Sequence, residues 1–293
     1  MLKSLRKLKV GGILFYWITA TRPAPRLDDK ILTGWNALTI TGLTDAYKSF
    51  GEEKFLNLAC DTAQFIIEKQ LQPDGTLYRS HKQGKSTINA YLEDYAACIE
   101  AFISLYEANA EKKWLDHAQS LTEYTIDHFS SEDHTMFYFT SQLEEQLITK
   151  NIEYQDNVIP ASNSIMAKNL FKLGHLLSKD SYIERAGRML LTINDKISDY
   201  PAGYSNWLDL KLNLTKPFHE IVITGKQAKE QLGNFHKYYI PNAVFASTQD
   251  PEPYLDLFKA RWDENDTFIY ICTNKTCSLP VKELPEALSM LNN

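Results

Sequence analysis

Apolar residues recur at helical spacing in three successive pairs of segments, and this repetition constrains the fold more than any other feature of the sequence. The pairs begin near Gly34, Tyr91 and Ser162, at intervals of roughly 60 to 70 residues. Each pair is typical of a helical hairpin, which covers its apolar stripe by stacking on the next hairpin. The sequence therefore predicts a mainly α fold, an array of (α/α) hairpins, and we expect the array to curve.

Local signals mark where these pairs begin and end. Thr33 is the predicted N-cap of the first helix, and Pro73-Asp74-Gly75 is a turn signal that ends the first pair. Phe137 and Phe139 alternate with polar residues, which predicts a short hairpin between positions 136 and 150.

The pattern changes after Leu210. Alternating and β-branched residues predict short strands at Glu220 to Thr224, Ala243 to Ala246 and Phe268 to Cys272, with helices between and after them. We therefore divide the chain into an atypical N-terminal segment at 1–21, a helical array at 22–214 and a small α/β annex at 215–293.

The charge of the chain argues against two classes of partner. The formal net charge is -6 and the basic residues are scattered. Binding to nucleic acid or to an anionic membrane needs clustered Lys and Arg, so we expect neither partner.

The cysteines and the N-terminus bear on location. Cys60 and Cys98 lie in apolar helical patterns typical of reduced, buried thiols, so the sequence favours the cytoplasm. The alternative is export, because a basic start leads into an apolar run at 10–20 that has the length of a signal peptide.

Polar and aromatic residues gather at the start of the first helix of each pair. In a closed ring of helix pairs, these starts would meet at one rim. Carboxylates and amides bond sugar hydroxyls and aromatic faces stack on sugar rings, so the sequence predicts a sugar site there. The predicted acid/base groups are Asp28, Asp29, Glu93 and Asp94. The predicted substrate-binding residues are Trp35, Asn36, Tyr95, Ser162 and Asn163.

A structural explanation of the same residues stays open. Ser, Asn, Asp and Thr are favoured at helix starts because they satisfy free backbone N–H groups, and acids there complement the helix dipole. Asp28, Asp29 and Lys30 also fit a salt-bridged structural cluster.

No cofactor or metal site is expected from the motifs. Cys272 and Cys277 lack a second Cys or His pair at zinc-site spacing, which leaves two ordinary thiols or a disulfide. No phosphate-binding, dinucleotide-binding or nucleophile-elbow motif is present in the sequence.

Several stretches resemble the spermatogenesis-associated protein 20 family, in that family's C-terminal part. The most specific is Arg22-Pro23 through Asp28-Asp29-Lys30-Ile31-Leu32-Thr33 and Trp35-Asn36-Ala37-Leu38. Others follow in the same order: Leu92 to Ala96, Ile159 to Ser164, Glu220 to Gly225, Tyr239 to Asn242 and Tyr270 to Cys277. The chain departs from the family at Met1 to Thr21, and at Ala37, where the family usually has Gly.

The resemblance implies a thioredoxin-like N-terminal domain followed by an (α/α)6 toroid similar to N-acylglucosamine 2-epimerases and six-hairpin glycosidases. The chain would start near the middle of that toroid, so we expect an incomplete ring that a second copy or a separate chain completes. We expect a domain that acts on a small sugar or sugar derivative, like an epimerase or a glycoside hydrolase. The alternative is a non-catalytic scaffold, or a truncated remnant of a thioredoxin-domain protein.

Overall fold

The repeated apolar stripes form helical hairpins in the computed structural model, which describes Arg22, residues 27–144 and residues 149–291. The helices are α1 (Thr33–Phe50), α2 (Glu53–Lys69), α3 (Leu92–Asn109), α4 (Lys112–Phe129), α5 (Ser162–Leu176), α6 (Asp180–Asp199), α7 (Ser205–Thr215), α8 (Ala228–Phe235) and α9 (Leu284–Leu291). Residues 31–293 form one compact unit that holds all of them, and residues 1–30 form a separate unit. The predicted mainly α hairpin fold is confirmed.

Helices α1 to α7 form two rows. α1, α3, α5 and α7 pack in that order as an inner row, while α2, α4 and α6 each pack on the inner helix that precedes them. α3 lies between neighbours on several sides, and nearly all of its side chains are buried. Gly51 ends α1 in the left-handed region, at a φ of 69°, and donates its N–H to the Tyr47 carbonyl. The chain can then reverse into α2.

Two local predictions in the helical part are wrong. Thr33 is the first residue of α1, and its hydroxyl donates to the Tyr78 carbonyl across the fold instead of capping its own helix. The described residues between 136 and 150 contain no strand, because the only ladder contact there is one bridge between Ser130 and Phe137. A hairpin instead follows the first helix pair.

That hairpin belongs to a small antiparallel sheet of β1 (Ile31–Leu32), β2 (Tyr78–Lys82) and β3 (Lys85–Asn89), in the order β1-β2-β3. Ile31 pairs with His81, and Tyr78 with Asn89. The sheet holds Arg79 beside the starts of α1 and α3.

A second sheet follows α7 and contains β4 (His219–Thr224), β5 (Ala243–Thr248), β6 (Phe268–Thr273) and β7 (Thr276–Cys277), in the order β5-β4-β6-β7. Strand β4 is parallel to β5 and antiparallel to β6. Ile221 and Ile223 pack with α8 and α9, while Val222 packs against the core of the helical array. Both faces of β4 are therefore covered.

The change from helix to sheet falls between Thr215 and His219. The domain division at 215 stays a prediction, because residues 31–293 form a single compact unit. The signal-like run at 10–20 lies outside the described residues. In the described part of the chain, no helix has the length and apolar character needed to cross a membrane.

Candidate functional site

The starts of α1 and α3 and the residues just before α5 line one hollow, which we call the rim pocket. Its lining includes Trp35, Arg79, Glu93, Asp94 and Pro160. The hollow holds only about 20 Å³, which is room for one water molecule. A ligand larger than water would therefore lie across the mouth of the pocket.

Asp94 joins the two helix starts. Its carboxylate accepts the backbone N–H of Gly34 at 3.0 Å and of Tyr91 at 3.1 Å, and the Arg79 guanidinium at 2.8 Å. A Cβ at Gly34 would lie 2.8 Å from Asp94 Oδ1, so the contact requires glycine there. Burial raises the pKa of Asp94, against the opposing charge of Arg79 and the bond from Tyr91. Asp94 thus serves as a cap and a structural link.

Glu93 stands beside Asp94 and is more accessible. Arg79 Nη1 donates to Glu93 Oε1 at 2.6 Å, and the Glu93 side chain is 26% exposed. The Arg79 guanidinium also lies 4.9 Å from the Tyr91 ring centre. Arg79 therefore holds the Glu93 carboxylate in place while leaving part of it open to a ligand.

Trp35 lies on the first turn of α1 with 68% of its surface exposed. Burying a side chain of this size would be favourable, so its exposure beside charged groups is typical of a binding surface. Asn36, its neighbour, uses its amide to donate to the Leu32 carbonyl at 2.8 Å. Trp35 lines the rim pocket, and Asn36 secures the first turn of the helix.

Tyr95 lies inside the α3–α4 hairpin rather than at the rim pocket. It is 2% exposed, its hydroxyl accepts the Leu77 N–H at 2.8 Å, and its ring stacks on Tyr124 at 5.4 Å. Burial raises the pKa of Tyr95 far above its usual value. The buried position favours a packing role, and the role predicted for Tyr95 in shaping the pocket stays a prediction.

Ser162 and Asn163 are fully buried at the start of α5. The Asn163 amide accepts the Phe137 N–H at 2.9 Å and donates to the Phe137 carbonyl at 2.9 Å, so it pairs with that backbone like a strand. Ser162 donates its backbone N–H to Glu153, and its hydroxyl is buried with no partner among the described residues. This geometry favours a structural role for both residues, and the substrate contacts predicted for them stay a prediction.

Asp156 links the start of α5 to the start of α7, as Asp94 links the starts of α1 and α3. Its carboxylate accepts the backbone N–H of Ala161 at 2.9 Å, the Ser164 hydroxyl at 2.7 Å and the backbone N–H of Asn206 at 2.9 Å. Asp156 carries no helix-start signal in the sequence, because it lies outside any helix and several residues ahead of the start that it caps.

Asp28 and Asp29 lie in the N-terminal unit of residues 1–30. Asp28 forms an exposed ion pair with Lys30 at 3.4 Å, and Asp29 also has an interaction partner. The catalytic role of both residues stays a prediction.

Three glutamates lie on one face of α3, and two of them, Glu100 and Glu107, were not among the residues predicted from the sequence. Glu93, Glu100 and Glu107 recur every seven residues along α3, which places them on one face. Glu107 is buried and pairs with Lys172 of α5 at 3.0 Å. Burial by itself would raise the pKa of Glu107, but the positive charges around it, led by Lys172, lower that pKa overall. Burial raises the pKa of Glu100, and the charge of Lys168 opposes that shift. The spacing of seven was the signal that could have found this row.

Metal-binding geometry is absent from the described residues, where no group of three or more His, Cys, Asp or Glu side chains is placed to hold an ion. Cys272 and Cys277 form a disulfide in this structure, so they are not the two ordinary thiols considered from the sequence. Cys60 and Cys98 are free, with Cys98 buried.

Comparison with known sequences confirms the resemblance that the motifs indicate. The chain is 27% identical over 292 residues to human (Homo sapiens) spermatogenesis-associated protein 20, and 28% identical to the rat (Rattus norvegicus) protein of that name. Each match covers 92% of this chain and 37% of the relative, so the chain spans little more than a third of their length. No family model matches the chain.

Among solved structures, the fold is similar to carbohydrate-acting helical-hairpin proteins. A GH76 α-mannanase from Bacteroides thetaiotaomicron matches with a TM-score of 0.48 and 16% identity, over 59% of this chain and 46% of that chain. A cellobiose 2-epimerase from Bacillus thermoamylovorans matches with a TM-score of 0.48 and 16% identity, over 57% of this chain and 45% of that chain.

Proposed function

We propose that this chain is a carbohydrate-directed helical-hairpin domain that binds a small sugar or sugar derivative at the rim pocket. The observation that carries the proposal is the exposed Trp35 beside the Arg79–Glu93 pair, at the meeting of the helix starts. An indole face packs against the C–H groups of a sugar ring, and the charged pair offers both donors and acceptors to its hydroxyls. The proposal rests on this geometry and not on the fold likenesses.

The size of the rim pocket suggests how a sugar would lie. The pocket is too small to enclose a ring, so the ring would stack on Trp35 across the mouth. Glu93, as an acceptor, and Arg79, as a donor, would then face one edge of the ring. Hydrogen bonds that involve charged groups are stronger than neutral ones, which suits recognition of hydroxyls in water.

For an epimerase-like or glycosidase-like reaction we assign the acid/base role to two glutamates of α3. Glu93 is accessible and its carboxylate is held in place by Arg79, whereas Glu100, two turns further along, has its pKa raised by burial. Carboxyl groups in different environments can divide the roles of base and acid. Asp28 and Asp29 remain proposed additional carboxylates, and Asp94 is a positioning residue.

The first experiment tests binding. Purified protein is titrated with a panel of neutral sugars, amino sugars and sugar phosphates, and binding is read as a rise in melting temperature and by calorimetry. We expect Trp35→Ala to lose the response at unchanged stability, because Trp35 is largely exposed. Phe50→Ala is the matched control, since Phe50 is an aromatic residue 70% exposed at the other end of the same helix.

The second experiment separates catalysis from binding alone. If the domain is an enzyme, Glu93→Gln should abolish turnover of the bound sugar while weakening its binding only a few-fold, because the amide keeps one acceptor for Arg79. If no bound sugar is converted by the wild type, the domain is a binding module. A panel in which no sugar binds the folded wild-type protein would contradict the proposal as a whole.

A further inference from the structure

A second cavity lies far from the rim pocket, between the C-terminal half of α5, the start of α6 and the sheet of the annex. We call it the annex cavity, and its volume is about 560 Å³. Sites for small molecules typically enclose about 300–1,000 Å³. His175, which lines it, is thirteen residues beyond the start of α5, about 20 Å along the helix. The annex cavity is therefore a separate site.

Two cations line the annex cavity without a carboxylate partner among the described residues. Arg261 donates from Nη1 to the Leu257 carbonyl at 2.7 Å and from Nη2 to the Cys277 sulfur at 2.9 Å, and both of these acceptors are uncharged. Its guanidinium also lies 5.0 Å from the Tyr270 ring centre. Lys216, at the end of α7, forms no ion pair within the described part of the chain.

Two acidic groups that line the cavity are paired with lysines. Asp180 pairs with Lys275 at 2.5 Å, and Asp256 pairs with Lys259 at 2.5 Å. Glu220 is 8% exposed and accepts the Nδ1–H of His175 at 2.7 Å. With those two acids paired, Arg261 and Lys216 outnumber the Glu220 carboxylate, so the described lining of the annex cavity carries an excess of positive charge.

An apolar wall faces these cations. Phe171 and Phe218 meet edge to face at 4.7 Å, and the His175 ring lies 4.7 and 4.8 Å from their ring centres. Such a wall accommodates the carbon skeleton of a ligand, and the few polar groups set its orientation. The cavity thus combines an apolar wall with two cationic groups that have no carboxylate partner among the described residues.

We propose that the annex cavity binds a small organic oxyanion, a carboxylate or a phosphate ester, through Arg261 and Lys216. The planar guanidinium matches the oxygens of either group, and its remaining N–H donors are free of carboxylates among the described residues. Lys216 adds an exposed charge, and the His175–Glu220 pair lines the same cavity.

The test is calorimetric titration of the full chain with two probes, inorganic phosphate and citrate, against chloride at matched ionic strength. We expect at least one probe to bind, with affinity reduced about tenfold or more in Arg261→Gln. Lys216→Gln should reduce it several-fold, and because Lys216 is exposed this variant tests the site even if Arg261→Gln unfolds. Lys226→Gln is the matched control, since Lys226 is an exposed cation of the annex that does not line the cavity, and the lining acids Asp180 and Asp256 pair with other lysines.

Each outcome decides the proposal. Binding of citrate alone identifies a carboxylate ligand, and binding of phosphate alone identifies a phosphate ester. The proposal is overturned if neither probe binds more tightly than chloride. It is equally overturned if Lys226→Gln weakens binding as much as the Arg261 and Lys216 variants do, because the effect would then be general surface charge.

Discussion

Replacing Asp94 with alanine should destabilise this protein more than any other single change at the rim pocket. The substitution removes the acceptor for the Gly34 and Tyr91 N–H groups and one of the two partners of Arg79. It thereby disconnects the start of α1 from the start of α3. Asp94 is 2% exposed, so water does not replace these bonds without rearrangement.

The magnitude follows from the contacts. Removing one partner of a buried ion pair costs about 3–5 kcal/mol, and an unsatisfied buried N–H costs about 1–3 kcal/mol. These values overlap, because Arg79 keeps Glu93 and the rim pocket admits a water molecule. We therefore expect Asp94→Ala to lower the free energy of unfolding by about 3 kcal/mol.

Glu93→Ala provides the matched comparison. Glu93 pairs with the same Arg79 nitrogen, but it is 26% exposed, and among the described residues no backbone N–H donates to its carboxylate. Its loss should cost about 1 kcal/mol or less. The assay is equilibrium urea unfolding followed by circular dichroism for wild type and both variants. If Asp94→Ala costs no more than Glu93→Ala, Asp94 does not link the helix starts and the reasoning is refuted.

Three further predictions concern other parts of the chain. Burial lowers the pKa of His236 to about 4, so as the pH falls the unfolded chain binds a proton at His236 before the folded chain does. The free energy of unfolding should therefore drop by up to about 3 kcal/mol between pH 6.5 and 4. In His236→Phe the free energy of unfolding should depend less steeply on pH across this window. Replacing Cys272 and Cys277 together with serine opens a short loop and should cost about 2 kcal/mol in urea unfolding, whereas a reductant should lower the stability of the wild type only. Lys172→Met leaves the Glu107 carboxylate buried without its partner and should cost about 3 kcal/mol, much of which Glu107→Leu in the same chain should restore, as thermal unfolding would show.

The helices were predictable because their signal is local. An apolar residue recurring every three or four positions specifies a buried face whatever that face packs against, so the hairpins of the array follow from the sequence. The strands β4, β5 and β6 were predictable because alternating and β-branched residues are also a local signal. The hairpin predicted at 136–150 was wrong, because Phe137 is fixed by the side chain of Asn163 and not by a neighbouring strand.

The rim pocket was predictable only in part. The gathering of polar residues at helix starts pointed to Trp35 and Glu93, but it did not separate them from Asp94, Tyr95 and Asn163, which are held inside the fold. A capping residue and a binding residue have the same local preferences, so only their partners distinguish them.

The sequence by itself determined the elements: paired helices with a fixed repeat, an annex of strands, and chemically capable residues at the helix starts. The tertiary structure decided which of these residues face solvent. Arg79 illustrates the reason, since it lies fourteen residues before Glu93 in a strand and reaches Glu93 and Asp94 only when the sheet packs beside the starts of α1 and α3. The annex cavity likewise joins residues from α5, α7 and the second sheet, and contacts so distant along the chain leave no periodic trace in the sequence.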